Sequence, residues 1–516
     1  MNGAECLLRT LLANEIDLCL MNPGTSEMQF VSALDRVPGM RGVLGLFEGV
    51  CSGAADGYAR MTGKPAATLL HLGPGLANAL ANFHNARKAH SPVVNIVGEH
   101  STQHLGFDAP LTADIEAFAR PVSGWVRTLG RASAMGEAAS AAVCAALGPP
   151  GQVASLIVPA DFSWSEAGEP GSAASRPVRS LPTSDRVRET AALLRSGRSV
   201  GLLLSGTALQ ERGLRAADRI RAATGTRVFA NRNSGRMARG GDVPMAERIP
   251  YFPEAAQKLL GGFERLILVE AKPPVSFFGY PGLRSTLAPE GCGFDILARE
   301  DQDGVGALEF LAEELGAYKG TVPVRTEPVL PRGEALSASA IGRAVGALVP
   351  EGAIFSDETV SCNEQIWPHL AGAPKHDHLP VSGGSIGQGL PVALGAALAC
   401  PDRKVVALEA DGSAMYTLQS LWTMARERSD VTIVILANRR YRILDVEMAR
   451  TGAGAVGPRA DEMLDLTRPA PDWVRLAEGF GVEASRAANA DEFIGQFASA
   501  MRQHGPRMIE AVLDHT

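Results

Sequence analysis

The sequence predicts an α/β fold made of three doubly wound, Rossmann-like domains. Short apolar runs that end in polar turns alternate with amphipathic stretches along the chain, as they do in parallel βαβ units. A chain of 516 residues is also too long for one hydrophobic core. Stretches rich in Gly, Ser and Pro at 163–182 and 322–331 are typical of linkers. We therefore expect domains at 1–165, 185–318 and 336–516.

Composition excludes several classes of function. The net charge of −7 argues against a polyanion such as nucleic acid as partner. No apolar run reaches membrane length, and the first residues lack the basic and apolar pattern of a signal peptide. The seven cysteines are scattered without a CxxC pair, which is typical of reduced thiols and not of a zinc site. We expect a cytoplasmic protein that binds neither nucleic acid nor membrane.

The first predicted domain carries polar residues where its apolar runs end. Its expected elements are a helix over 4–13 and strands over 16–21, 43–47 and 68–71. Thr25 lies in the turn after the first strand, Glu48 follows the second strand and a helix rich in Gly and Ala begins there, and His71 ends the third. A carboxylate at a helix start is favoured by the helix dipole alone, and a histidine at a strand end is often structural. Position alone therefore identifies neither residue as functional.

The second predicted domain repeats this alternation. Its strands are expected at 200–204, 227–230 and 265–270. A glycine turn at 205–208 follows the first of them, but it lacks the GxGxxG pattern and a downstream acidic residue for a ribose. A single glycine turn is only a weak indication of a bound dinucleotide.

The third predicted domain contains a strand–helix–strand unit with polar ends. A strand over 404–408 leads to Asp411, a helical stretch spans 415–425, and a strand over 431–436 ends near Asn438. In parallel sheets these carboxyl ends form the edge where ligands bind. Side-chain oxygens suit Mg²⁺, and amides at a helix start favour an anion. Asp and Asn also serve as turn formers and helix caps. The spacing of the two residues favours neither the ligand site nor this structural role.

The segment around Asp411 resembles the thiamine-diphosphate motif, in which Gly-Asp-Gly is followed about 30 residues later by Asn-Asn. Here Asn438 lies 27 residues after Asp411 (438 − 411), while Ala410 and Ala437 replace a Gly and an Asn of the motif. The resemblance implies that Mg²⁺ and the diphosphate are held by Asp411, Gly412, Ser413, Asn438 and the main-chain carbonyl of Arg440. A carbonyl ligand tolerates any side chain, so an arginine at position 440 is no objection.

The segment from Glu48 to Arg60 resembles the pyrimidine-binding segment of the same enzymes. The resemblance implies that Glu48 bonds the aminopyrimidine ring and helps to activate the cofactor. His71 and Thr25 match the places of a catalytic His and Ser in benzoylformate decarboxylase. His71 is followed by a Gly-Pro-Gly-x-x-Asn turn at 73–78, which is common in acetolactate-synthase-like enzymes. The second catalytic His of benzoylformate decarboxylase is best matched here by Phe278, which cannot relay protons.

Further positions follow from the same resemblance. Ser361 is expected to contact phosphate, the Gly384 carbonyl to meet the exocyclic amine of the cofactor, and Ile386 to force its bent conformation. Glu447 stands where benzoylformate decarboxylase has a pocket Phe. Two interpretations of Glu447 remain open, an acid/base group or a solvated helix charge.

The whole chain thus resembles the acetolactate synthase and benzoylformate decarboxylase family. The resemblance implies pyrimidine-binding, central and diphosphate-binding domains, in chain order, and a Mg²⁺- and thiamine-diphosphate-dependent enzyme that decarboxylates or ligates 2-oxo acids. It also implies a homodimer or homotetramer whose sites lie between subunits. The central domain looks short for FAD, so we predict no flavin. The alternatives are an FAD-containing acetolactate synthase or pyruvate oxidase, and a non-catalytic binding protein of the same fold.

Overall fold

A computed structural model describes residues 1–321 and 326–513. Residues 322–325 of the second predicted linker and 514–516 of the third predicted domain lie outside the described residues. The chain forms three mostly parallel sheets with interleaved helices. The predicted α/β class with three Rossmann-like units is confirmed.

The first sheet has six parallel strands in the order β2-β1-β3-β4-β6-β5. The strands are β1 (Leu18–Asn22), β2 (Arg41–Leu44), β3 (Ala66–Leu70), β4 (Val93–Glu99), β5 (Trp125–Thr128) and β6 (Val153–Pro159). The helices are α1 (Gly3–Ala13), α2 (Met28–Ala33), α3 (Glu48–Thr62), α4 (Leu72–Ala89), α5 (Ile115–Ala119), α6 (Met135–Leu147) and α7 (Ala160–Trp164). Alternate residues of β1 enter two different cores, so both faces of the sheet are covered.

The second sheet has five parallel strands in the order β10-β8-β7-β11-β12. Its strands are β7 (Val200–Leu204), β8 (Arg227–Ala230), β10 (Glu247–Arg248), β11 (Arg265–Val269) and β12 (Gly293–Ala298). Its helices are α8 (Ser184–Leu194), α9 (Glu211–Thr224), α10 (Pro253–Leu260) and α11 (Gly304–Glu314). The three strands expected here are all present, each within one residue of its predicted end.

The third sheet has the order β17-β18-β16-β15-β13-β14-β9. Its own strands are β13 (Ala353–Glu358), β14 (His376–Pro380), β15 (Val405–Ala410), β16 (Val431–Ala437), β17 (Glu483–Ala487) and β18 (Arg507–Val512). Its helices are α12 (Ala338–Leu348), α13 (Asn363–Leu370), α14 (Gly389–Ala399), α15 (Asp411–Ala414), α16 (Ser420–Glu427), α17 (Arg442–Thr451), α18 (Pro458–Glu462), α19 (Trp473–Gly479) and α20 (Ala490–Met501).

The edge strand β9 (Met237–Arg239) comes from the middle of the chain. It pairs antiparallel with β14 and completes the third sheet. Arg239 on this strand stacks on Trp367, its guanidinium carbon 3.4 Å from the ring centroid. No sequence pattern predicts this strand, because three residues are too few for a periodic pattern.

Two predicted elements differ in the structure. Residues 73–78, expected as a turn, lie inside α4. Pro74 is tolerated there because the first N–H groups of a helix have no partner within the helix. The helical stretch expected over 415–425 is divided into a 3₁₀ turn at Met415–Thr417 and the first part of α16, and α15 precedes it.

Close contact between α3 and α14 joins the first and third units of the same chain. A methyl group at Gly57 would overlap the carbonyl of Val392, and one at Gly395 would overlap the carbonyl of Ala54. These glycines allow the two helix backbones to touch. Arg60 strengthens the joint: it is ion-paired with Asp56 and donates to the Pro380 carbonyl at 2.9 Å.

The described residues contain no helix that is both long and apolar enough to cross a bilayer. All seven cysteines are free thiols.

Candidate active site

Glu48 is the first residue of α3 and is held by two side-chain amides. Asn22, at the end of β1, donates to Oε1 at 3.1 Å, and Asn78, in α4, donates to Oε2 at 2.9 Å. The side chain is 7% exposed. Each carboxylate oxygen therefore has a fixed donor, and the orientation of the group is set without a ligand.

His71 connects β3 to α4, and a buried carboxylate orients its ring. Nδ1 lies 2.8 Å from Oε2 of Glu27, and the same oxygen accepts the Gly24 N–H at 2.7 Å. Burial raises the pKa of Glu27, and its Oε1 has no hydrogen-bond partner in the described chain. No hydrogen bond among the described residues uses Nε2 of His71, so this nitrogen is available to a substrate.

Thr25 is exposed and begins a 3₁₀ turn, Thr25–Glu27. A methyl group at the preceding Gly24 would overlap the imidazole of His71, and one at Gly75 would contact both His71 and Glu48 at 3.4 Å. The structure thus brings the three predicted catalytic residues together at the carboxyl ends of neighbouring strands.

Asp411 begins α15 directly after β15. Its two carboxylate oxygens accept main-chain N–H groups, from Gly412 at 2.8 Å and from Arg439 at 2.6 Å. Burial outweighs these hydrogen bonds and raises the pKa of Asp411 to about 6. A bound cation would favour the ionised form of this carboxylate.

Asn438 and Arg440 follow the neighbouring strand β16. The Oδ1 of Asn438 accepts the Arg440 N–H at 3.1 Å. The Arg440 guanidinium is ion-paired with Asp445 at 2.6 Å and Asp461 at 2.7 Å, which leaves its carbonyl to other partners. That carbonyl accepts the Arg442 N–H at 2.8 Å and keeps a second lone pair. A carboxylate, an amide oxygen and a carbonyl form the oxygen donor set that Mg²⁺ prefers, so these residues fit the predicted ion.

The backbone beside Asp411 is closely covered. A methyl group at Gly412 would overlap the ring of Tyr441, and Ser413 is buried. Ser361 lies in the 3₁₀ turn Val360–Cys362, after β13. The carboxyl ends of β13, β15 and β16 are adjacent in the sheet, so these residues share one edge.

Gly384 and Ile386 lie in a loop fixed by the first unit. Asn85 of α4 donates to the Ser385 carbonyl at 2.7 Å, and its own oxygen accepts the Ser385 N–H at 3.1 Å. Gly384 has a φ of +79°, and a side chain there would overlap the ring of Phe277. Phe277 therefore contacts this loop.

Two buried carboxyl groups lie behind the loop. Glu358 accepts the N–H groups of Gly387 at 2.7 Å and Gly389 at 2.5 Å, and burial raises its pKa to about 7. Glu409 is paired with it across the sheet, is fully buried, and has no hydrogen-bond partner for either oxygen among the described residues. Burial and the neighbouring carboxylates raise the pKa of Glu409 well above its usual value. Glu358 therefore fixes the loop backbone.

The predicted residues form two groups, one at the first sheet and one at the third. Thr25, Glu48 and His71 make the first; the second consists of Ser361, Gly384, Ile386, Asp411, Gly412, Ser413, Asn438 and Arg440. Across residues 1–321 and 326–513, no hydrogen bond or ion pair joins a member of one group to a member of the other.

Sequence reasoning missed four residues that shape the first group and the loop, namely Asn22, Glu27, Asn78 and Phe277. Asn22 and Asn78 lie in segments already singled out, the turn after β1 and the glycine-containing segment after His71. Their contacts with Glu48 depend on the strand order β2-β1-β3, which the sequence did not predict. In the sequence, Glu27 is distinguished only by its position at a helix start.

Comparison with known proteins identifies the family. Residues 1–118 match "Thiamine pyrophosphate enzyme, N-terminal TPP binding domain", and residues 361–511 match "Thiamine pyrophosphate enzyme, C-terminal TPP binding domain". A Mycobacterium tuberculosis protein named "Putative acetolactate synthase large subunit IlvX" is 49% identical over 522 residues, which cover 99% of each chain. The chain belongs to the thiamine-diphosphate-dependent enzymes.

Two further relatives of this thiamine-diphosphate-dependent enzyme are decarboxylases. Benzoylformate decarboxylase of Pseudomonas aeruginosa is 28% identical over 95% of this chain and 94% of its own. The structure of the thiamine diphosphate-dependent 4-hydroxybenzoylformate decarboxylase of Rhodococcus jostii RHA1 matches with a TM-score of 0.87 and 26% identity, covering 100% of both chains. The predicted family, the classification as an enzyme and the cofactor thiamine diphosphate are confirmed.

Proposed function

We propose that this protein is a Mg²⁺- and thiamine-diphosphate-dependent 2-oxo acid decarboxylase. The observation that carries the proposal is the His71–Glu27 pair beside Glu48. It offers a proton-transferring nitrogen, Nε2, next to the carboxylate that the family uses to activate its cofactor. Decarboxylation needs such a group, because a proton has to replace the departing CO₂ on the substrate carbon.

Each residue of the first group has a defined task in this proposal. Glu48, fixed by Asn22 and Asn78, hydrogen-bonds the aminopyrimidine ring of the cofactor. When bound, thiamine diphosphate supplies the electron sink for the breaking carbon–carbon bond. His71 moves a proton through Nε2 while Glu27 holds Nδ1. The Thr25 hydroxyl hydrogen-bonds the substrate.

The second group holds the rest of the cofactor. Asp411, Asn438 and the Arg440 carbonyl bind Mg²⁺. The amides of the α15 start, together with Ser413 and Ser361, bind the diphosphate. The Gly384 carbonyl and Ile386 position the pyrimidine and thiazolium rings. The oxygen donor set and the close backbone at Gly412 support these assignments.

A complete site then requires two chains. The first group of one subunit faces the second group of its partner, in a homodimer or a homotetramer. The sequence resemblance to enzymes with shared sites supports this arrangement.

The experiment is CO₂ release from a panel of 2-oxo acids, with thiamine diphosphate and Mg²⁺ added or omitted. Pyruvate, branched-chain 2-oxo acids and benzoylformate form the panel, and the products are identified. Cofactor-dependent CO₂ with an aldehyde as product supports the proposal. Acetolactate or another ligated product would instead establish the carboligase, and the absence of turnover on every substrate would contradict both.

His71→Ala tests the observation behind the proposal. We expect a loss of about 10²- to 10⁴-fold in kcat, because a general acid/base contributes on that order, with thiamine diphosphate binding retained. His504→Ala is the matched control, since the His504 side chain is 93% exposed and pairs with Asp430, at the end of β16 opposite to Asn438. Equal turnover of the His71 variant and the control would remove His71 from the chemistry.

A further inference from the structure

Glu447 accepts hydrogen bonds from two tyrosines in the described structure. It lies on α17, which packs beside the turn that contains Ser361. The hydroxyl of Tyr251 donates to Oε1 at 3.2 Å, and that of Tyr280 donates to the same oxygen at 3.0 Å. Both phenols are thus oriented by one carboxylate oxygen, which is not the behaviour of a solvated helix charge.

The tyrosines keep their protons. Burial and the adjacent Glu447 raise the pKa of Tyr251, and the same two causes raise the pKa of Tyr280. The tyrosines therefore act as donors and Glu447 as acceptor. Oε2 of Glu447 makes no hydrogen bond within residues 1–321 and 326–513, so one oxygen of the carboxylate remains available.

The two nearby cations are committed to other carboxylates. Arg450 stacks 4.9 Å from the ring centroid of Tyr280 but is ion-paired with Glu254. Arg232 lies 5.5 Å from the ring centroid of Tyr251 but is ion-paired with Glu364. Within the described chain no cation lies at ion-pair distance from Glu447. A half-buried acceptor without a cation gains free energy from any donor that a ligand brings.

A continuous aromatic wall connects Glu447 to the cofactor loop. Tyr251 packs against Phe277 with ring centroids 5.4 Å apart, and Phe277 lies against Gly384. Phe278 packs on Phe277 at 4.9 Å. Phe277 and Phe278 are 40% and 50% exposed, so their free faces border open space. The wall therefore begins at the predicted place of the cofactor ring and ends at the free oxygen of Glu447.

We propose that Glu447 marks the distal end of the substrate pocket and selects aryl 2-oxo acids whose ring carries a hydroxyl group. This inference rests on the proposed function, since it names the substrate class of that site. The aromatic faces pack against the substrate ring, and the ring hydroxyl donates to Oε2 of Glu447. A substrate without the hydroxyl leaves the carboxylate unpaired, and such sites discriminate strongly against the analogue that lacks the group.

The test compares benzoylformate with 4-hydroxybenzoylformate in the holoenzyme. We expect kcat/KM to favour the hydroxylated substrate by about 10- to 100-fold, the value of one hydrogen bond to a charged group. Glu447→Leu removes the acceptor and should abolish the preference, so that kcat/KM becomes equal for the two substrates. Glu447→Gln retains a carbonyl acceptor and should restore part of the preference. Glu462→Leu, at an exposed position on α18, is the matched control and should behave as the unmodified enzyme.

A binding measurement separates this inference from the proposed function. Calorimetry with 4-hydroxymandelate and mandelate requires no turnover. Tighter binding of 4-hydroxymandelate that is lost in Glu447→Leu supports the role of Glu447 even if neither 2-oxo acid is decarboxylated. Equal affinities for the two ligands, or a preference that survives Glu447→Leu, would overturn it.

Discussion

Glu48 and Asp411 are both buried carboxylates, but different groups hold them. Glu48 accepts from two side-chain amides, Asn22 and Asn78, whereas Asp411 accepts from two main-chain N–H groups beside an open oxygen donor set. The first arrangement fixes a hydrogen-bond acceptor, and the second prepares a cation ligand. Substitution of Glu48 should therefore affect activity, whereas substitution of Asp411 should affect metal binding.

Replacing Glu48 should remove activity and leave cofactor binding largely intact. We expect Glu48→Gln to lower kcat by about 10²- to 10⁴-fold, because the amide cannot take part in the proton transfer that activates the cofactor. Steady-state kinetics and the change in intrinsic fluorescence on cofactor binding measure the two quantities. Glu137→Gln, at an exposed position on α6, is the control. Unchanged turnover of Glu48→Gln would refute the activating role.

Asp411 should make metal binding dependent on pH. A proton and Mg²⁺ compete for the carboxylate, and burial raises the pKa of Asp411 to about 6. Since the folded-state pKa is raised, the competition begins at a higher pH than for an ordinary aspartate. We expect the apparent Mg²⁺ affinity to be constant above about pH 7 and to fall by up to about tenfold per pH unit below about pH 6. Calorimetric titration from pH 5 to 8 in the presence of thiamine diphosphate measures it.

Asp411→Asn provides the comparison for that titration. The variant should bind Mg²⁺ weakly at every pH, without the slope, because its ligand does not ionise. A wild-type affinity that stays flat between pH 5 and 8 would show that Asp411 does not control the metal.

At the scale of elements, the strand ends explain what the sequence could predict. Asp411 and Asn438 follow two strands that are direct neighbours, with Ala410 opposite Leu436. The rule that ligands bind at the carboxyl edge of a parallel sheet was therefore enough to predict that Asp411 and Asn438 lie close together. The Glu48–Asn22 and His71–Glu27 contacts join residues 26 and 44 positions apart, across strands whose order was not predicted. Local patterns contain no information about that order.

The joint between α3 and α14 depends on glycine. We expect Gly57→Ala to lower the free energy of unfolding by about 1–3 kcal/mol, because the new methyl group overlaps the Val392 carbonyl. Alanine is the better helix former, so propensity alone predicts the opposite sign. Chemical denaturation monitored by circular dichroism measures the change.

Gly495→Ala is the matched control for this helix joint. Gly495 lies in α20 and has no atom within 4 Å of an added methyl group. The substitution should stabilise the protein by up to about 1 kcal/mol. Stabilisation by both substitutions would mean that α3 and α14 are not in close contact.

At the scale of the whole molecule, shared sites predict complementation between inactive subunits. Glu48→Gln and Asp411→Ala chains each lack one half of every site. In a mixed dimer one site carries both changes and the other carries none. Random exchange should therefore restore up to about a quarter of the wild-type activity. Activity after mixing, with exchange verified by native mass spectrometry, tests this; no recovery despite exchange would place each site within one chain.

The strand β9 has a consequence for how the chain can be divided. Met237–Arg239 occupies the edge of a sheet whose other strands begin more than a hundred residues later. A C-terminal fragment that starts at residue 336 would expose the N–H and C=O groups of His376–His378, and uncovered edges of this kind recruit other chains into aggregates. The third unit therefore does not form a complete sheet without residues from the middle of the chain. Gene fusions and truncations that contain this unit should remain free of aggregates only when they also include the Met237–Arg239 segment.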